Sequence, residues 1–242
     1  MIRAVARLAC GALAVALAIG ASSGAAASGA TRSDAKQVAQ AGVLRISDFP
    51  TGWSQTARAS SSDDELDASA AKIARCRQFV AFSKANKKNP RAKSPAFEQG
   101  QANVDNTVSV YPSVAKATAA MRTYADADLP VCLDKLFSAE FKAQLSKQPK
   151  VAKQLQSVKL DIGRLDGVQI GDEAVAYEGT AAVGLKDGTV TTIGLAVIAV
   201  RVDDAISGYS YTADTDISAA LQPAIVASVS RLRAATAAAS ST

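Results

Sequence analysis

Residues 174–202 read AVAYEGTAAVGL-KDG-TVTTIGLAVIAVRV, and the sheet's architecture follows from them. Ala174 to Leu185 and Thr189 to Val202 each have strand length, and Val, Ile and Thr dominate the second. Lys186-Asp187-Gly188 between them is hairpin-turn chemistry. A tight turn joins antiparallel strands, because parallel neighbours need a long crossover. The apolar run of Thr189–Val202 puts that strand in the middle of the sheet. Asp203-Asp204 then turns the chain into another strand around Gly208-Tyr209-Ser210-Tyr211. Upstream, Val158, Leu160 and Ile162 alternate with Lys159, Asp161 and Gly163, which predicts a strand with one buried face.

The first half of the chain mixes helices with shorter strands. Leu44 and Ile46 alternate with polar neighbours, and Phe49-Pro50-Thr51-Gly52 reads as a turn leading to Trp53. A polar loop, Ser60 to Glu65, ends in acids suited to a helix N-terminus. The spacing predicts a helix from Glu65 to about Ala85, with Ile73, Cys76 and Val80 on one face. Asn86 to Ser94 reads as a basic loop, and residues 96–111 as strand structure. Ser113 is placed to cap a helix whose stripe is Val114, Ala117, Met121 and Tyr124. Asp128-Leu129-Pro130 starts the next helix, which carries Cys132, Leu133, Leu136, Phe137, Phe141 and Leu145 and stops before Pro149. A last helix carries Ile217, Leu221, Ile225, Val229 and Leu232, with Pro223 either kinking it or marking its start. The fold class is therefore α+β: an antiparallel sheet with helices packed on one side, held by one disulfide.

Domain organisation follows from the ends. Arg3 and Arg7 precede an apolar run from Leu8 to Ile19 and a small-residue stretch ending at Ala27, which predicts a secretory signal peptide over 1–27. Cleavage after Ala30 is the alternative. The run is too short and Ala-rich for a membrane span, so no transmembrane anchor is expected after cleavage. Cys10 leaves with the signal peptide, so two cysteines remain, Cys76 and Cys132. Export and a count of two predict that they pair, closing a loop of about 56 residues worth about 4 kcal/mol. Residues 28–42 read as a flexible tail, 43–235 as a single domain and 236–242 as a disordered tail.

Composition limits the chemistry. The 242 residues contain no histidine, which excludes Ser-His-Asp and Cys-His catalysis and any His-ligated zinc. About one residue in five is Ala, so the 48% hydrophobic total overstates the core-forming material. Ser113-Val114-Ala115-Lys116 matches the S-x-x-K spacing of Ser-Lys hydrolases, as does Ser33-Asp34-Ala35-Lys36. The Ser-x-Asn element of those enzymes is missing in the required order. Ser113 is explained as a helix cap and Lys186-Asp187-Gly188 as a turn. The carboxylate pairs Asp63/Asp64, Asp126/Asp128, Asp203/Asp204 and Asp214/Asp216 suit turns and caps, and no metal or cofactor is expected. Net charge is +5, with 21 basic and 13 acidic residues over 28–164. The lysines are spread without interleaved aromatics, which speaks against nucleic acid.

Three stretches carry a resemblance: Val104-x-Asn106-x-Val108-x-Val110-Tyr111-Pro112-Ser113, Gly171-Asp172-Glu173-Ala174-Val175-Ala176-Tyr177, and Val197-Ile198-Ala199-Val200-Arg201-Val202. Together they resemble the secreted actinobacterial "sensor domain-containing" proteins, of the PknH-like extracellular sensor-domain family. The resemblance implies a non-catalytic α+β domain outside the membrane that binds a ligand in a cleft. It transfers no functional residue. This chain carries one expected disulfide where the kinase's domain has two, and no kinase segment.

The expectation is a secreted, non-catalytic binding or sensor-like domain acting on an unidentified envelope ligand or protein, with Trp53, Tyr209 and Tyr211 as the aromatic binding candidates. The alternatives are a secreted Ser-Lys hydrolase using Ser113 and Lys116, and a protein–protein module such as an inhibitor or envelope chaperone.

Overall fold

A computed structural model describes residues 32–58, 68–146, 149–214 and 218–241. The signal-peptide reading of 1–27 and the Ser60–Glu65 loop lie outside the described residues, as do the side chains of Ser33, Lys142, Lys147 and Lys150. In chain order the elements are α1 (Arg32–Ala41), β1 (Ser54–Thr56), α2 (Arg77–Asn86), β2 (Arg91–Lys93), β3 (Ala96–Gln99) and β4 (Ala102–Val110). Then come α3 (Val114–Tyr124), α4 (Leu129–Ser146), α5 (Pro149–Ala152), β5 (Leu155–Leu165), β6 (Glu173–Leu185), β7 (Val190–Val202), β8 (Ala205–Ala213) and α6 (Ser218–Ala239). The strands form one antiparallel sheet in the order β1-β3-β4-β8-β7-β6-β5, with β2 also paired to β4.

The central hairpins form as read. Lys186-Asp187-Gly188 turns β6 into β7 with Gly188 at φ 85°, where a Cβ would be strained. Asp203-Asp204 joins β7 to β8, with Asp203 at φ 55° and its N–H held by the Asp172 carboxylate at 2.7 Å. Ser113 caps α3, its hydroxyl accepting from the Lys116 N–H at 3.3 Å. Pro130 occupies the first turn of α4, where a missing N–H does no harm. Cys76 and Cys132 are joined, with Cα atoms 5.0 Å apart, in a small buried cluster with Val80 and Leu136.

Register fixes the layers. Ile193, Leu195, Val197 and Ala199 of β7 share a core with α3 and α4 residues such as Met121, Tyr124, Phe137 and Phe141. Val200 and Val202, of opposite parity, share another with Val38, Leu221, Ile225, Val229 and Leu232 of α1 and α6. The helices thus lie on both sheet faces, not on one. The apolar run of β7 contains the reason: both parities are apolar, and a strand greasy on both faces needs cover on both.

Four further readings are corrected. Residues 32–41 are helix, not tail, because Val38 and Ala39 bury against α6. Helix α6 continues to Ala239 with Thr236 buried, so the expected tail at 236–242 is ordered helix for most of its length. The helix expected over 65–85 breaks at Lys72–Ile73 into a 3-10 turn at Ala74–Cys76 followed by α2. The basic loop at 86–94 contains β2. The strand structure read over 96–111 forms, as two strands around Gly100 at φ 64°. Pro223 sits inside α6.

Candidate functional site

The face that α3 and α4 cover over β5, β6 and β7 is apolar. Followed across β8 to β4, the same face becomes polar. The register places Asn103 opposite Thr212, Asp105 opposite Ser210, Thr107 opposite Gly208 and Ser109 opposite Ile206. Asn103, Asp105, Thr107, Ser109, Ser210 and Thr212 are all buried. Arg91 and Lys93 of β2 join this side opposite Ser109 and Thr107. A buried sheet face ordinarily carries apolar residues, so six polar ones in a contiguous block are a local departure from what stability favours.

Asp105 is the centre of the block. Its Oδ1 accepts from the Ser210 hydroxyl at 3.1 Å and pairs with Arg58 Nη2 at 2.8 Å. The Asp105 side chain is 3% exposed and that of Arg58 17%. Arg58 Nη1 also donates to the Asn106 carbonyl at 3.2 Å and to Thr107 Oγ1 at 3.1 Å. Burial pushes the Asp105 carboxyl up to about 6, against the pull of Arg58, the Ser210 hydroxyl and Lys93. At the margin, the Asn103 amide donates to Glu98 Oε1 at 3.1 Å. The arrangement is a buried, internally hydrogen-bonded polar cluster around one carboxylate whose pKa burial has raised to about 6.

The aromatic candidates lie on the opposite face. Trp53 is buried and stacked on Phe49 with ring centroids 4.7 Å apart. Tyr209 is buried, with its hydroxyl 2.9 Å from Ser228 Oγ. Tyr211 is half-buried beside the same cluster, opposite Val104 and Ala196. The structure gathers these three residues into one core beneath α1 and α6, where Trp53 and Tyr209 present no open ring face. Lys116 is exposed on α3, and its backbone N–H is what Ser113 caps. Asp126 accepts from the Asp128 N–H at 2.8 Å and Asp128 pairs with Arg75 at 2.6 Å, as loop carboxylates do.

Sequence reading missed the polar block, although its signal was present. In Ala102-Asn103-Val104-Asp105-Asn106-Thr107-Val108-Ser109-Val110 every odd position is polar. That alternation implies a solvent-facing side. Here the side is buried, and only tertiary structure reveals it.

No family model and no curated protein matches the chain. Among solved structures it is similar to the extracellular domain of PknH from Mycobacterium tuberculosis, with a TM-score of 0.34 and 10% identity, covering 71% of this chain and 92% of that one. Among the described residues no helix is long and apolar enough to cross a membrane.

Proposed function

We propose that the protein is a secreted, non-catalytic binding domain acting at the cell envelope, and that it recognises its ligand through the polar half of the β4–β8 face. The observation that supports this is the change of that face from apolar to polar along one sheet. Asp105 sits in it at a pKa that burial has raised, so the carboxylate is kept at the expense of stability. Binding sites retain such groups because a buried polar group without its proper partner discriminates strongly between ligands. The ligand class is one rich in hydrogen-bonding groups, matched to Asp105, Thr107, Ser210 and the Arg58 guanidinium. The Cys76–Cys132 bond fits an oxidising compartment.

The test is amide chemical-shift mapping with a soluble hydrolysate of envelope polysaccharide. Perturbations centred on Asn103, Asp105, Thr107, Ser210 and Thr212, and lost in Ser210→Ala, are the expected result. Perturbations confined to the α1–α6 side would place recognition elsewhere. A serine-reactive fluorophosphonate should leave Ser113 unlabelled. Labelling there would replace the binding reading with a hydrolase.

A further inference from the structure

The two ends of the sheet differ. The β1 end is a strand of three residues, Ser54–Thr56, too short to template a partner. The β5 end is eleven residues long, and among the described residues β5 pairs with β6 alone. Its outer row is exposed at Gln156, Ser157, Lys159, Asp161, Gly163, Arg164 and Leu165. Leu160 and Ile162 are half-buried against the α3–α4 core. Lys159 and Asp161 make no ion pair with any described residue of the chain.

The sequence of this edge is self-complementary. Written antiparallel to itself about Leu160, Lys159 faces Asp161 of a second copy, Val158 faces Ile162, and Leu160 faces Leu160. Both charge pairs fall on one face, and the Val158–Ile162 and Leu160–Leu160 pairs fall on the face that already holds the α3–α4 core. Shifting the register by two residues either way sets Lys159 opposite Lys159 or Asp161 opposite Asp161, which opposes pairing. Isolated edge charges normally discourage strand addition. Here their symmetric placement favours one register and rejects its neighbours.

We propose that β5 is a homodimerisation edge: two copies join their β5 strands antiparallel about Leu160, making one continuous sheet through a two-fold axis. Such an interface is isologous and closes after two subunits, so it does not propagate into fibres. It is separate from the β4–β8 face and independent of the ligand read there.

Sedimentation equilibrium on the purified protein tests the proposal. The wild-type chain should dimerise reversibly. Lys159→Asp sets two carboxylates opposite each other at both charge pairs of the dyad and should weaken the dimer by about tenfold or more. Asp161→Lys should do the same with two ammonium groups. The double variant Lys159→Asp/Asp161→Lys, with the same charges exchanged, should restore the wild-type constant. Leu160→Cys should form an intermolecular disulfide under mild oxidation, since paired Cα atoms at an antiparallel dyad lie about 4.5–5.5 Å apart. Ser157→Cys should not. A wild-type chain that stays monomeric at about 0.5 mM, well above the micromolar range of ordinary weak association, overturns the proposal. So does a dimer that ignores both single reversals, or a double variant that stays monomeric.

Discussion

Replacing Asp105 with Asn tests whether the carboxylate in the polar block is held against stability. Asn keeps an oxygen for the Ser210 hydroxyl and the Arg58 guanidinium but carries no charge. Two effects compete. Removing one partner of a buried ion pair leaves the other uncompensated, which costs about 3–5 kcal/mol in closed sites. Removing a carboxylate that burial disfavours relieves its desolvation. The pKa weighs the two, because it already contains the attraction of Arg58. A carboxyl moved from its ordinary 3.8 to about 6 is worth about 3 kcal/mol in favour of the neutral form. Relief wins because Arg58 is the more exposed partner, at 17% against 3%, and keeps its bonds to the Asn106 carbonyl and Thr107.

The pH dependence has a definite sign. Between pH 3.8 and about 6 the folded chain holds a proton that the unfolded chain has released. The contribution of Asp105 to stability therefore falls as pH rises through that window and is flat above it. At pH 4 Asp105→Asn should match wild type. At pH 7.5 it should be more stable by about 3 kcal/mol, or about 6–12 °C in Tm for a chain of this size. Thermal unfolding of both proteins, followed by circular dichroism from pH 4 to pH 8, gives the difference directly and cancels the other titrating groups. A variant less stable than wild type at pH 7.5, or a difference that does not change with pH, would show that the Asp105 carboxylate is not held against stability.

Other perturbations follow from the described contacts. Asn106 is fully buried, and its amide accepts from the Leu44 N–H at 2.8 Å and donates to the Gly42 carbonyl and Ser207 Oγ at 3.0 Å each. Asn106→Ala should cost about 2–4 kcal/mol in urea unfolding, and a loss under about 0.5 kcal/mol would contradict that bonding. The double variant Cys76→Ser/Cys132→Ser should lose about 4 kcal/mol, from a closed loop of about 56 residues; equal denaturation midpoints with and without reductant would show that the bond constrains little. Trp53, the single tryptophan, should show blue-shifted emission and resist acrylamide quenching in the folded protein. Ready quenching would contradict its burial under Phe49.

What the sequence revealed was what local chemistry decides. The turns at Lys186-Asp187-Gly188 and Asp203-Asp204, the Ser113 cap and the Cys76–Cys132 pairing need only neighbouring residues or a count. The missing parts depend on distant ones. Residues 32–41 looked polar and loose because their short apolar set, Val38 and Ala39, gains meaning only against α6. Covering helices on both faces follows from the two apolar parities of β7, which a linear scan reads simply as one greasy run. Trp53 and Tyr209 are buried and Tyr211 is half-buried for a general reason: a single Trp or a Tyr pair in a strand is as well suited to a core as to a cleft. The polar block was hidden by the opposite error, since alternation in β4 looks the same whether its polar side meets water or protein.

The segment after α1 is tied to α6, far away in sequence. Ser228 Oγ donates to the Gly42 carbonyl, and Arg231 donates to the Ala41 and Val43 carbonyls while gripping Asp48 through both oxygens at 2.7 Å. These bonds join residues 183 to 190 positions apart. A chain delivered N-terminus first, from a ribosome or through a membrane channel, therefore cannot close this corner until α6 has emerged. Residues 41–48 must wait, unclasped, for α6, so the interval of vulnerability to proteases is set by the speed of delivery as much as by the folding rate.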